Sequence, residues 1–548
     1  MMKKLLFLLA VWAGVASASL ACTNLIVGKN ASADGSTIVS YSADSYGLFG
    51  YLCHYPAATH PKGTMVDIHD WDTGKYLGQI EQARKTYSVI GNINEYQLTI
   101  AETTFGGRPE LADSTGIIDY GSLIYLGLQR ARTAREAISV MTNLVKEYGY
   151  YSEGESFTIA DPNEVWIMEM IGKGPGVRGA VWVAVRVPDD CIAAHANQSR
   201  IRQFNMDDKD NCLYSPDVIS FAREKGYFNG VNKDFSFADA YNPLDFGGIR
   251  YCDARVWSYY NKYAAGMEAY LPYIKGDVKA ERMPLFVKPV RKLSVQDVMN
   301  AMRDHYEGTP LDLTKDLGAG PFHSPYRPSP LSFKVDGKEY FNERPIATQQ
   351  TAWSFVSQMR ADLPDMVGGV FWFGTDDANT TVYTPVYCGT TQVPDCLRED
   401  KADYVTFSWD SSFWIFNWVA NMVYPRYSLM IDDVRAEQHR LENTYLDAQQ
   451  GIEQAALKIY QTSPERARAF LTNYSVMTAN CAFDAWKRLG EFLIVKYNDM
   501  VVKKQLKNGG FERTETGMAA PVIRPAYPEE FLREVAKATG DRYLIPGQ

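Results

Sequence analysis

Cys22-Thr23-Asn24-Leu25-Ile26-Val27-Gly28-Lys29 is the stretch on which the reading of this chain turns. Residues 24–27 form a short β-type run, Gly28-Lys29 and Asp34-Gly35 are turn signals, and 37–41 is a second run. The stretch therefore predicts a strand with a cysteine at its very start. What precedes that cysteine gives it its interest.

Residues 1–4 are a short basic start, and 5–16 are apolar but too few to span a bilayer as a mature helix. Ser17 to Ala21 offer small residues, with Ser19 and Ala21 at the −3 and −1 positions of a cut before Cys22. This is the tripartite pattern of a secretory signal, so 1–21 is expected to be removed. No later run reaches the length of a membrane span. The protein is expected to be exported, either to a periplasm or outside the cell.

A cut at that point makes Cys22 the first residue, with its α-amine beside its own sulfur. Reference pKa values of about 7.7–8.0 for the amine and about 8.5 for the thiol let the one take the other's proton near neutrality. Nucleophile and base then come from one residue, which suits a chain with only 7 histidines. Two other readings of Cys22 stand beside this one. It fits an ordinary strand residue, and it fits a lipoprotein anchor acylated after export, giving a membrane-tethered surface protein without turnover. Such anchors usually have Leu three places before the cysteine, whereas here Ser19 holds that place and Leu20 comes one later.

Other routes to chemistry are closed. The sequence has no G-x-S-x-G, H-E-x-x-H or C-x-x-C motif and no Walker-type phosphate loop. A net charge of −9, made more acidic by loss of Lys3 and Lys4, offers no basic face for nucleic acid. With 46% hydrophobic and 13% aromatic residues the chain can bury a large core. No low-complexity linker divides it.

β-type runs recur at 98–105, 157–160, 165–171, 180–187 and 191–196. Asp161-Pro162-Asn163 and Pro188-Asp189-Asp190 read as turns between neighbouring antiparallel strands. Thr133-Ala134-Arg135-Glu136 reads as a capping box ahead of Ile138, Met141, Leu144, Val145 and Tyr148 at helical spacing. A second capped helix is expected over 294–305, and a long helical pattern runs from about 428 to 505. Strands with helices inserted, then a helical tail, imply an α+β layered fold. The boundaries expected are 1–21 for the signal, 22–425 for the catalytic domain and 426–548 for the helical part.

The eight cysteines permit disulfides in an exported protein. Cys388 with Cys396, and Cys212 with Cys252, are the candidate pairs. Asp67-Ile68-His69-Asp70-Trp71-Asp72 reads as a hairpin ahead of Thr73-Gly74, with a metal site as the alternative. Asp376-Asp377-Ala378-Asn379 reads as an acidic turn and lacks the loop of an EF-hand. The aromatic run 409–418 is expected in the core, with a substrate cleft as the alternative. No metal or organic cofactor follows from these residues.

Cys22 to Lys29, then Asp34-Gly35-Ser36-Thr37-Ile38 and Asp44-Ser45, resemble the start of the secreted bacterial dipeptidases of the dipeptidase A (peptidase U34) type. The likeness continues in Asn92-Ile93-Asn94-Glu95, Ala101-Glu102-Thr103-Thr104, Ala160-Asp161-Pro162-Asn163-Glu164-Val165-Trp166 and Ala194-His195-Ala196-Asn197-Gln198. Later members are His305-Tyr306-Glu307-Gly308-Thr309-Pro310, Ser324-Pro325-Tyr326-Arg327 and Trp372-Phe373-Gly374. The resemblance covers about 22–396 and extends to choloylglycine hydrolases, penicillin V acylases and acid ceramidase.

What the resemblance implies is a four-layer αββα sandwich of the N-terminal-nucleophile type, with Cys22 as nucleophile and, through its amine, base. Asp44 falls at the acidic position that holds the amine or thiol, Asn197 at the oxyanion-hole asparagine, and Arg255 at an arginine near the nucleophile. Glu102, Thr103 and Thr104 fall at a strand end near the site, with Glu102 suited to a substrate's free amine. His195 falls to a structural role. One position departs from the bile-salt and penicillin-acylase pattern: Tyr41 stands where those relatives carry arginine. Another cation must then attend the thiolate, either Arg255 or the α-ammonium itself. The expected activity is a cysteine dipeptidase acting on small unblocked peptides, with a linear-amide acylase of the same fold as the rival. A homo-oligomer is left open.

Overall fold

The computed structural model of the chain describes residues 22–327, 332–341 and 343–547. The expected signal at 1–21 lies outside them. The fold is α+β, built on two antiparallel sheets.

Among the described residues the first sheet has seven strands. β1 (Thr23–Val27) pairs on one side with β2 (Thr37–Asp44). β2 is followed across the sheet by three strands from much later in the chain, Thr351–Met359, Val370–Thr375 and Thr384–Tyr387. The second sheet has eight strands and is centred on β3 (Thr99–Gly106), β4 (Gly154–Ala160), β5 (Val165–Gly172) and β6 (Ala180–Arg186), each hydrogen-bonded to the next. β7 (Ile192–His195) returns to the first sheet and pairs with β1 on its other side, Asn24 opposite His195.

That return corrects one expectation. Asp161-Pro162-Asn163 does close a hairpin between β4 and β5, but Pro188-Asp189-Asp190 carries the chain from one sheet to the other. The crossing passes tightly over the end of β1: a Cβ on Gly28 would stand 2.5 Å from the Asp189 carbonyl oxygen. Glycine is needed there for close approach.

Three apolar cores follow from the alternation of side chains along these strands. Ile26, Val39, Ala193 and Phe355 of the first sheet meet Ala101, Ile167, Val181 and Val183 of the second. On the far side of the second sheet, Phe157, Trp166 and Met168 pack against α1 (Tyr120–Arg130) and α2 (Ala134–Tyr148) through Leu123, Ile138 and Met141. On the far side of the first, Leu25, Val356 and Trp372 pack against α3 (Ala254–Tyr263), α4 (Val295–Ala301), α5 (Ser412–Val423), α6 (Tyr427–Tyr460) and α7 (Pro464–Tyr497). Trp166, Trp257, Trp372 and Trp486 are fully buried, and large apolar side chains of this kind each contribute roughly 1.5–3 kcal/mol. The helical tail thus shares one core with the first sheet.

Local chemistry explains the helix ends. Thr133 caps α2 by accepting from Glu136 N, but the Glu136 carboxylate accepts from Arg132 N at 2.8 Å, so the reciprocal bond falls one residue early. Ser294 and Asp297 form a full capping box on α4. α4 ends at Ala301, short of 305, where the chain turns to send Arg303 to Glu442 and Asp304 to Ser258. Ser463 caps α7, with Pro464 in the first turn.

The other expectations divide. Residues 67–72 lie in a hairpin, Met65–His69 against Tyr76–Glu81, and the described residues contain no metal-binding cluster of His, Cys, Asp and Glu. Neither cysteine pair is joined, since all eight thiols are free. Cys388 lies against the Asp365 carbonyl and Cys396 against Asn480 Oδ1. The turn at 376–379 is buried. In the aromatic run Phe413 and Phe416 are core while Trp409 is exposed. Among the described residues no helix is long and apolar enough to cross a membrane.

Candidate active site

The position of Cys22 follows from strand register. β1 and β7 pair with Asn24 opposite His195, so continuing two places sets Asn197 beside Cys22. On the other side Thr23 is opposite Ser42, which brings Ala43 and Asp44 alongside. Cys22, Asp44 and Asn197 therefore converge because three adjacent strands end together. Cys22 is 2% exposed.

Arg255 joins them from α3. It is fully buried, and its Nη1 donates to the Cys22 carbonyl at 2.7 Å and to Thr23 Oγ1 at 2.9 Å. Nη2 donates to Asn197 Oδ1 at 2.9 Å and to the Ala196 carbonyl at 3.1 Å. Asn197 has a left-handed backbone, φ 62°, which Asn tolerates better than most residues, and its Nδ2 donates to the Thr104 carbonyl at 2.8 Å.

The Cys22 sulfur has a partner that sequence reading missed. The Tyr41 hydroxyl lies 3.5 Å from Sγ and donates to Glu102 Oε1 at 2.7 Å. Tyr41 had stood out only as a missing arginine, and nothing in sequence pairs it with Glu102. Burial pushes the Cys22 thiol well up, with the Glu102 and Asp44 carboxylates adding to the rise and the Tyr41 hydroxyl opposing it. Glu102 is pushed up to about 7, chiefly by burial. Glu155 behind it rises well above its usual range through burial and the Glu102 charge, while accepting from Thr104 Oγ1 at 2.6 Å. These two carboxyls, with Asp72 from the hairpin, make one wall of the site acidic.

A buried cation stands on the Asp44 side. Asp44 is fully buried and paired with Arg344, which was also missed because 300 residues separate the two. Ser42 Oγ and Thr351 Oγ1 donate to the same carboxylate at 2.8 and 2.6 Å. Burial works against the Arg344 charge, but Asp44, then Tyr251 and Cys22, more than offset it.

Of the remaining predicted residues, Thr104 braces Glu155 and Asn197 as described. Thr103 is turned to His195: its Oγ1 lies 2.8 Å from Nδ1, and Thr158 Oγ1 lies 2.7 Å from Nε2. Burial, with Arg200 adding to it, holds His195 down at about 3, so it stays neutral between the sheets. Cys22, Tyr41, Glu102, Asn197, Arg255 and Asp44 form one connected group, and Thr103 and His195 support it from the side.

A buried thiol between a carboxyl pair and two guanidinium groups, with an amide fixed beside it, defines a cysteine-centred site at the end of a sheet. The chain belongs to peptidase family C69, the dipeptidase A type, matching it over residues 21–51 and 48–440. It is 28% identical over 396 residues to a protein of Salmonella dublin named "Probable dipeptidase", covering 68% of this chain and 81% of that one. A Latilactobacillus sakei protein of the same name is 27% identical over 432 residues, 74% of this chain and 82% of the other. "Dipeptidase A" of Lactobacillus helveticus is 24% identical over 416 residues, 72% and 80%.

Proposed function

We propose that the chain is an exported cysteine dipeptidase, periplasmic or extracellular, whose mature form starts at Cys22 and cleaves small unblocked peptides. The observation that carries this reading is the convergence of Tyr41, Asn197 and Arg255 on Cys22 at the start of β1. The two facing sheets with helices on their outer sides support an αββα arrangement of the N-terminal-nucleophile type, and 22–425 is proposed as the catalytic domain, with 426–548 packed on it.

In the proposed mechanism the Cys22 α-amine removes the thiol proton, and Sγ attacks the scissile carbonyl carbon. The C=O π pair moves onto oxygen, where the Asn197 amide holds it, and Arg255 keeps that amide and the Cys22 main chain in place. Collapse breaks the C–N bond as the α-ammonium gives its proton to the leaving amine. Water, deprotonated by the same amine, then attacks the thioester, releasing the acid and restoring the thiol. Asp44 orients the α-amine. The substrate's ammonium meets the acidic wall at Glu102, with Thr104 and the adjoining Thr103 main chain lining the approach.

Turnover of unblocked dipeptides against their N-acetylated forms tests the reading, with Cys22→Ala as control. Cleavage of unblocked peptides alone, lost in Cys22→Ala, is expected. Cleavage of blocked substrates alone would make the protein an acylase, and full activity in Cys22→Ala would remove the nucleophile.

A further inference from the structure

We propose that Arg344 is the anchor for the free carboxylate of the substrate, so that the site grips a dipeptide at both ends with the scissile bond over Cys22. The proposal rests on the dipeptidase reading above and adds the group that recognises the second end.

Arg344 is fully buried. Its Nη2 is held by Asp44, while Nε and Nη1 are buried with no hydrogen-bond partner. The usual neutralising partner is already shared out, because Asp44 also accepts from Ser42 and Thr351. Arg255, close enough for the two guanidinium charges to oppose each other, bonds to carbonyl, hydroxyl and amide oxygens. Two buried cations thus lie near each other, and only Arg344 of the two is paired with a carboxylate, Asp44. Buried charge is retained where something compensates it, and guanidinium N–H donors left open in a closed site are suited to a carboxylate.

Topology gives the direction: Glu102 comes from the second sheet, while Asp44, at the end of β2 in the first sheet, holds Arg344, and both carboxylates act on Cys22. A dipeptide spans roughly 7 Å from ammonium to carboxylate. Its ammonium at Glu102 and its carboxylate at Arg344 would lay the single peptide bond across the sulfur between them. A longer peptide would present a neutral amide to Arg344 and leave the open N–H donors without a charge, so the same contact explains selection by length.

The test compares unblocked dipeptides with their C-terminal amides, in the mature protein and in Arg344→Gln and Arg344→Lys. The acid is expected to exceed the amide in kcat/KM by about 100-fold, the upper scale of a hydrogen bond to a charged group. Arg344→Gln should bring that ratio toward 1, and Arg344→Lys should leave it in between. An acid-to-amide ratio near 1 in the unsubstituted protein overturns the proposal, as does a ratio unchanged in Arg344→Gln, which marks a merely structural arginine. Should Arg344→Gln not fold, product inhibition decides: free amino acid should inhibit the unsubstituted protein at least tenfold more strongly than its amide, and equal inhibition overturns the assignment. Failure of the dipeptidase reading looks different, since then neither acid nor amide is cut.

Discussion

Arg255 donates to the main-chain carbonyl of Cys22 at 2.7 Å from 233 positions further along the chain. The same planar group holds Asn197 Oδ1 at 2.9 Å, so the proposed nucleophile and the proposed oxyanion donor share one brace. Lysine cannot reproduce that fork. Arg255→Lys is expected to lower kcat by about 100-fold with little change in KM, the scale on which small misplacements act. Steady-state kinetics on a dipeptide check this, and wild-type kcat would show the brace to be dispensable.

The Tyr41 hydroxyl lies against the sulfur, and turning its one proton from Glu102 to Sγ favours the thiolate against burial and the neighbouring carboxylates. In Tyr41→Phe the thiol should ionise less readily. Alkylation of Cys22 by iodoacetamide is expected to slow about tenfold near neutral pH, the scale of one hydrogen bond to a charged group. Its pH profile should move to higher pH. An unmoved profile would mean that the hydroxyl does not act on the sulfur.

Burial pushes Glu102 up to about 7, and a substrate ammonium needs its ionised form. The dependence of kcat/KM on pH for an unblocked dipeptide should therefore rise through about pH 7. Glu102→Gln should lose that limb and raise KM. A limb that persists in the glutamine variant would belong to another group.

Asp376 is buried and pushed up to about 8, mainly by burial with Asp377 adding to it, while accepting from Asn417 at 2.8 Å. Its folded value exceeds the unfolded one of about 3.9. The stability it contributes is therefore present below about pH 4 and is lost as pH rises toward 8. Asp376→Asn keeps an acceptor for Asn417 and removes the titration. Thermal unfolding should show the variant gaining on the parent between pH 4 and 8, by on the order of 1–3 kcal/mol at the upper end. A constant difference across that range would contradict the account.

The strands were readable where short β-type runs met strong turns, as at 24–27, 37–41 and around Asp161-Pro162-Asn163. Their partners were not, because local pattern is silent on which sheet a strand joins. Pro188-Asp189-Asp190 has the residues of a hairpin turn, yet it carries the chain between sheets. The candidate site divides the same way. Cys22, Asn197 and Asp44 lie within ordered motifs near strand ends. Arg344 and the Tyr41–Glu102 contact arise only when distant segments pack, 300 and 61 positions apart. The turn at 376–379 is legible from its residues but its burial is not, because Tyr326, Tyr424 and Asn417 from distant segments supply the partners that let its carboxylates be buried.

The central claim is that the working protein begins with an unmodified Cys22, and intact mass with N-terminal sequencing of the protein from its own cells tests it most directly. The account predicts a chain starting at Cys22 with free amine and thiol. A start elsewhere, or an acylated Cys22, would take away the base and contradict the mechanism.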